Sequence, residues 1–138
     1  MNLNTKYNAL LFDYNNALNS YNNSLQIITI QFDEIVIDTI KNGQIQKFET
    51  LTELAWKCCK LYIEIHFGDV VVSPKMVYKQ LFIQGTVNEN LYLQLIQTVE
   101  DRNMLSHIYK EKMFVVVYQN LNRHLDSFNS LYQIINAT

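Results

Sequence analysis

The chain has 138 residues, an apolar fraction of 49%, three glycines and one proline. That is the size and make-up of one globular domain, and it excludes a disordered or low-complexity protein. A formal charge of −2 excludes an obligate, sequence-nonspecific nucleic-acid binder, which carries a strong positive excess, but leaves room for a local RNA-binding cleft.

The first predicted helix carries Tyr7, Leu10, Leu11, Tyr14, Leu18, Tyr21, Leu25 and Ile28 on one stripe, with Asn, Asp and Ser opposite, as a half-buried helix should. A second helical region runs from about Phe32 to His66, with Asn42-Gly43 read as a kink or short break. Beyond it Ile45, Phe48, Leu51, Ala55, Cys58, Tyr62 and Ile65 form a core face. Phe67 to Ser73 is a loop whose Val70-Val71-Val72 run has no strand partner elsewhere. Ser73-Pro74 opens a third, short helix as N-cap and first helical residue, and Gly85 closes it. Asn88 caps a fourth, with Leu91, Tyr92, Leu95 and Val99 buried. Arg102 to Tyr109 ends that helix and turns into a fifth with Met113, Val117, Leu121, Leu125, Phe128, Tyr132 and Ile135 inside. The expected fold is therefore all-α: one domain over 1–138, an up-and-down four-helix bundle with an additional short helix.

The adjacent Cys58 and Cys59 suit neither a disulfide nor a zinc site, and read as small apolar helix residues. No apolar run approaches the roughly 18 residues of a membrane span, and no export signal is present, so a cytoplasmic protein with no membrane contact is expected. There is no His-Glu-x-x-His spacing, phosphate loop or dinucleotide fingerprint, so neither metal nor cofactor is expected.

The chemistry-bearing stretch is Asp101-Arg102-Asn103-Met104-Leu105-Ser106-His107-Ile108-Tyr109. An imidazole moves protons near neutral pH, and a guanidinium grips phosphate oxygens through a fixed fork of donors. Arg102 and Ser106 are one helical turn apart, as are Asn103 and His107. Arg102 and His107 lie about 140° apart on an ideal helix, so they converge only if the helix ends between them or a second chain completes the site. The bland alternative pairs Arg102 with Asp101, Glu100 or a backbone carbonyl, and leaves His107 as a packing residue. Elsewhere, His66 reads as a helix-end cation and His124 as solvent-facing on the last helix. Trp56 reads as a core or interface anchor. Lys47, Lys57 and Lys60 form a modest basic face, either solvated or touching RNA. Glu53 and Lys57 form a surface pair one turn beyond Glu49.

Several motifs in register resemble one family. They are Asn42-Gly43-Gln44-Ile45-Gln46-Lys47-Phe48-Glu49, Thr52-Glu53-Leu54-Ala55-Trp56-Lys57, Ser73-Pro74-Lys75, and Asp101-Arg102-Asn103 with Ser106-His107-Ile108-Tyr109. The chain resembles the nucleotidyltransferase substrate-binding proteins, a branch of the HEPN domains, over roughly residues 40–125. The resemblance implies a HEPN-like bundle, a homodimer and association with a minimal nucleotidyltransferase. It further implies a metal-independent endoribonuclease acting as a toxin, with Arg102 and His107 matching the family's Arg-x4–6-His signature across a dimer cleft. Asn103 and Ser106 would orient the imidazole or the scissile phosphate, and Glu49, Glu53 and Lys57 fall in its motifs as supporting or substrate-binding positions. Tyr109 occupies the position at which the partner transfers AMP to neutralise the toxin. Lys47 and Lys75 depart from the family's arginines, Thr50 from its aromatic, and Tyr92 from its tryptophan. Two other readings stand beside the nuclease: a non-catalytic nucleotide- or substrate-binding subunit, and a plain helical dimerisation module.

Overall fold

The structure, a computed structural model, describes residues 2–106 and 110–137, with the Lys110 side chain left out. The described residues form six helices and no strand: α1 (Leu3–Leu25), α2 (Glu34–Phe67), α3 (Pro74–Ile83), α4 (Glu89–Met104), α5 (Lys110–Gln119) and α6 (Leu121–Asn136). The expected all-α bundle is what forms. α1, α2, α4 and α6 alternate in direction, as side-chain pairs show: Tyr7 meets Tyr62 while Tyr21 meets Phe48, and Gln94 meets Ser127 while Asp101 meets His124.

The apolar stripe of α1 does more than pack. The hydroxyls of Tyr7, Tyr14 and Tyr21 donate to the carbonyls of Ile135, Phe128 and Leu121 at 2.9, 2.6 and 2.6 Å. Both series step by seven residues, so the phenols form rungs between antiparallel α1 and α6. Each such bond is worth about 1 kcal/mol net, and burial pushes all three phenols well above their usual pKa. Cys58 and Cys59 lie in the same core as free thiols, and burial pushes Cys58 up to about 12.

Three expectations are corrected. The Asn42-Gly43 pair makes no break: α2 runs unbroken for 34 residues. A helical glycine costs only about 1 kcal/mol, less than the burial of Gln44, Ile45 and Phe48 beside it, and the Asn42 amide bonds back to the Asp38 carbonyl at 2.8 Å. The fifth helix is two helices, α5 and α6, because the chain tightens at Asn120, whose N–H bonds Val117 O at 2.9 Å while its side-chain amide turns to Asp101 at 3.0 Å. The α1 stripe stops at Leu25, leaving Ile28 70% exposed in the turn that follows.

Asp33 and Asn88 cap α2 and α4 through their side chains. α3 ends in a Schellman turn: Thr86 N–H reaches Leu81 O at 2.9 Å, Gly85 N–H reaches Phe82 O at 3.0 Å, and Gly85 has φ 76°. Open space surrounds both Gly43 and Gly85, so backbone preference alone decides their substitution. Gly43→Ala is expected to stabilise by about 0.5–1 kcal/mol, and Gly85→Ala to destabilise by about 1–2 kcal/mol. Urea denaturation of the two proteins checks the opposite signs.

Candidate functional site

The last turn of α4 is anchored from within. Asp101 is fully buried, although a carboxylate normally seeks water. Its Oδ1 accepts from Gln97 at 2.8 Å, and its Oδ2 accepts from Asn120 at 3.0 Å and meets His124 Nε2 at 2.5 Å. Burial opposes the charge, but the bonds from His124, Asn120 and Gln97, with attraction to His124, outweigh it and hold the carboxyl below its usual pKa. The His124 ring lies nearly parallel to Phe48 of α2, with centroids 5.0 Å apart. His124 is thus 1% exposed, which corrects its expected place on the solvated side. The break at Asn120 starts α6 afresh, and the buried carboxylate takes the imidazole as a donor.

Arg102 follows Asp101 directly and serves a face of the helix about 100° round from it. Its Nη1 donates to Ser106 Oγ at 3.2 Å and pairs with Glu49 Oε2 at 3.3 Å. The nearby carboxylates go elsewhere: Glu100 pairs with Lys75 at 3.4 Å, and Asp101 with His124. Arg102 Nε is buried without a hydrogen-bond partner among the described residues, so the guanidinium fork is only partly engaged. Glu49 also lines a groove of about 200 Å³ with Asn42, Ile45, Leu105 and Phe114. That groove adjoins a wider hollow of about 410 Å³ bounded by Asp38, Asn42, Glu111 and Phe114.

The structure therefore brings together Arg102, Ser106 and Glu49, and places Asn103 exposed on the same final turn. It does not join them to Glu53 and Lys57, which pair with each other at 3.7 Å farther along α2, where the Trp56 indole donates to Glu53 at 3.3 Å. His107 and Tyr109 lie outside the described residues. Lys47 points to α1, its Nζ 2.6 Å from Ser20 Oγ, beside a hollow of about 360 Å³ on another face of α2. No cluster of three or more His, Cys, Asp or Glu side chains able to hold a metal occurs among the described residues. No described helix is long and apolar enough to cross a membrane.

Two features escaped the sequence. Asp101 and His124 are 23 residues apart, and only the break at Asn120 aims one at the other. Gln44, also buried, donates to Ser24 O at 2.8 Å and accepts from the Tyr118 hydroxyl at 2.7 Å, tying α5 to α1 and α2. A glutamine within the apolar face of α2 was the only signal for it.

A family described as "nucleotidyltransferase substrate binding protein like" matches residues 10–137. A crystal structure of a Thermus thermophilus protein superposes with a TM-score of 0.76 at 19% identity, over 88% of this chain and 98% of that one. A tri-AMPylated Shewanella oneidensis HEPN toxin, solved in complex with its MNT antitoxin, superposes with a TM-score of 0.71 at 16% identity, over 100% of both chains. At these identities the likeness is one of fold. No curated protein sequence matches.

Proposed function

We propose, because this chain belongs to the nucleotidyltransferase substrate binding protein-like family, that it is the HEPN-type toxin subunit of a toxin–antitoxin pair. On this reading it is a homodimeric, metal-independent endoribonuclease neutralised by a minimal nucleotidyltransferase. The observation that carries the proposal is Arg102. It stands half-buried at the end of α4, held at Nη1 by Glu49 and Ser106, with its Nε buried and without a hydrogen-bond partner among the described residues. The fold shared with a HEPN toxin supports the reading.

The proposed chemistry needs no metal. His107 takes the proton from a ribose 2′-hydroxyl as its oxygen bonds to phosphorus, or gives a proton to the departing 5′-oxygen as that P–O bond breaks. A second histidine, from the other subunit, suits the complementary transfer, and the products are a 2′,3′-cyclic phosphate and a 5′-hydroxyl. Arg102 stabilises the extra negative charge on the phosphoryl oxygens, while Asn103 and Ser106 orient the groups. The test is RNA cleavage with a chelator present, by the parent and by Arg102→Ala and His107→Ala. Undiminished cleavage by the variants would refute the mechanism.

Neutralisation is proposed at Tyr109. Its phenol oxygen attacks the α-phosphorus of ATP on the partner, pyrophosphate leaves, and the phenolic proton passes to a base. Co-expression with the nucleotidyltransferase should add one AMP per modified tyrosine by intact mass. An adduct that persists in Tyr109→Phe places the modification elsewhere.

A second reading has its own observation. Glu49 already neutralises Arg102, and Asp38 and Glu111 border the adjoining hollow. These carboxylates repel a polyanion more than a small nucleotide, which suits a non-catalytic nucleotide- or substrate-binding subunit. Expression without the partner separates the two: the toxin arrests growth and the binding subunit does not.

A further inference from the structure

We propose that the buried His124–Asp101 pair is the positioning element for Arg102, setting the rotation and depth of the last turn of α4 at the proposed RNA-cleaving site. Two pairs of neighbouring residues carry the argument. On α4, Asp101 is bonded to His124 and Arg102 to Glu49. On α2, Phe48 stacks on His124 and Glu49 takes Arg102. His124 therefore touches the immediate chain neighbour of each member of the Arg102–Glu49 pair.

Apolar packing alone does not account for this arrangement. Replacing the whole buried pair by well-packed hydrophobic side chains would remove the cost of burying it, and such paired replacements are often neutral or stabilising. A carboxylate held by three donors at 2.5–3.0 Å supplies direction that apolar contact lacks. Gln97 orients the carboxylate from within α4, while the donors from the α5–α6 junction and from α6 resist rotation and sliding of the turn. Each residue advances about 100° around a helix. A small rotation at Asp101 thus swings the long Arg102 side chain away from Glu49 and Ser106.

The inference rests on the nuclease reading only for its effect on cleavage, so the experiment has two arms. His124→Phe keeps a ring against Phe48 but gives Asp101 no donor. His124→Gln keeps a donor within reach of the carboxylate. Asn120→Ala removes a different donor from a part-buried position, and decides the matter if His124→Phe fails to fold. In the first arm, the Nε–Hε signal of Arg102 is followed by 15N NMR without RNA and assigned through its loss in Arg102→Lys. It should shift and exchange at least tenfold faster in His124→Phe and Asn120→Ala, and return in His124→Gln. In the second arm, kcat for RNA cleavage should fall about 10–100-fold in the same two proteins with KM within twofold, and recover in His124→Gln.

Folded His124→Phe and Asn120→Ala proteins with a parental Arg102 signal overturn the positioning role, even if the parent cuts RNA. Equal loss in His124→Gln and His124→Phe also overturns it, because packing would then account for the effect. An Arg102 signal that responds as expected in a protein that never cleaves RNA upholds the positioning role and refutes the nuclease reading.

Discussion

Arg102→Ala is expected to slow metal-free RNA cleavage by about 10²–10³-fold, the usual loss when one group stabilising transition-state charge is removed. The loss should fall on the chemical step and not on folding. Arg102 is only partly buried, its pair with Glu49 spans 3.3 Å at the protein edge, and exposed pairs of this kind contribute about 0–1 kcal/mol. Arg102→Lys keeps the charge but not the planar fork, so it should recover only part of the rate. His107→Ala should cost about 10²–10⁴-fold, the range for general acid–base help. Chelator should change none of these rates. Single-turnover cleavage of a labelled RNA, with urea denaturation as the folding control, measures both quantities.

Asp101→Ala is expected to cost about 3–5 kcal/mol, because removing one partner of a buried ion pair strands the other. His124, Asn120 and Gln97 would all lose their common acceptor in the interior. Out of a total stability of about 5–15 kcal/mol, that is enough to lower Tm by on the order of 10 °C. The effect has a pH signature. The Asp101 carboxyl is held below its usual pKa in the folded chain, so its contribution is fully present above the unfolded value of about 3.9. It is lost as pH falls through the lower folded value. The Asp101 contribution to the stability gap between parent and Asp101→Ala should therefore shrink as pH falls below about 4. A gap that fails to narrow in that acid range contradicts the assignment. Urea titrations across this range decide it.

Much of the fold was legible because its signals are local. The stripe of α1, the start of α3 at Ser73-Pro74 (where the serine side chain makes no capping bond), the cap at Asn88 and the glycine after α3 each depend on residues within a turn or two. The two failures in α2 and at Asn120 are tertiary. Packing outweighs a single glycine at 43, whereas a long-range bond from Asn120 to Asp101 ends a helix whose apolar period continues through it. For the site, the spacing of Arg102 and Ser106 foretold their contact. Glu49 was marked only through family resemblance, since no spacing rule relates two positions so far apart in the chain. His124 was misplaced because polar neighbours such as Arg123 and Asp126 gave that stretch the look of a solvated face, and the carboxylate it meets lies on another helix.

The tyrosine rungs make the α1–α6 contact a graduated scale. Inserting or deleting one residue between rungs in either helix turns the following hydroxyl or carbonyl about 100° out of phase. A slip by one helical turn, about 5.4 Å, misaligns all three at once. Length changes in this pair are therefore quantised in sevens, and the depth at which α6 delivers its side chains is indexed from the neighbouring α1.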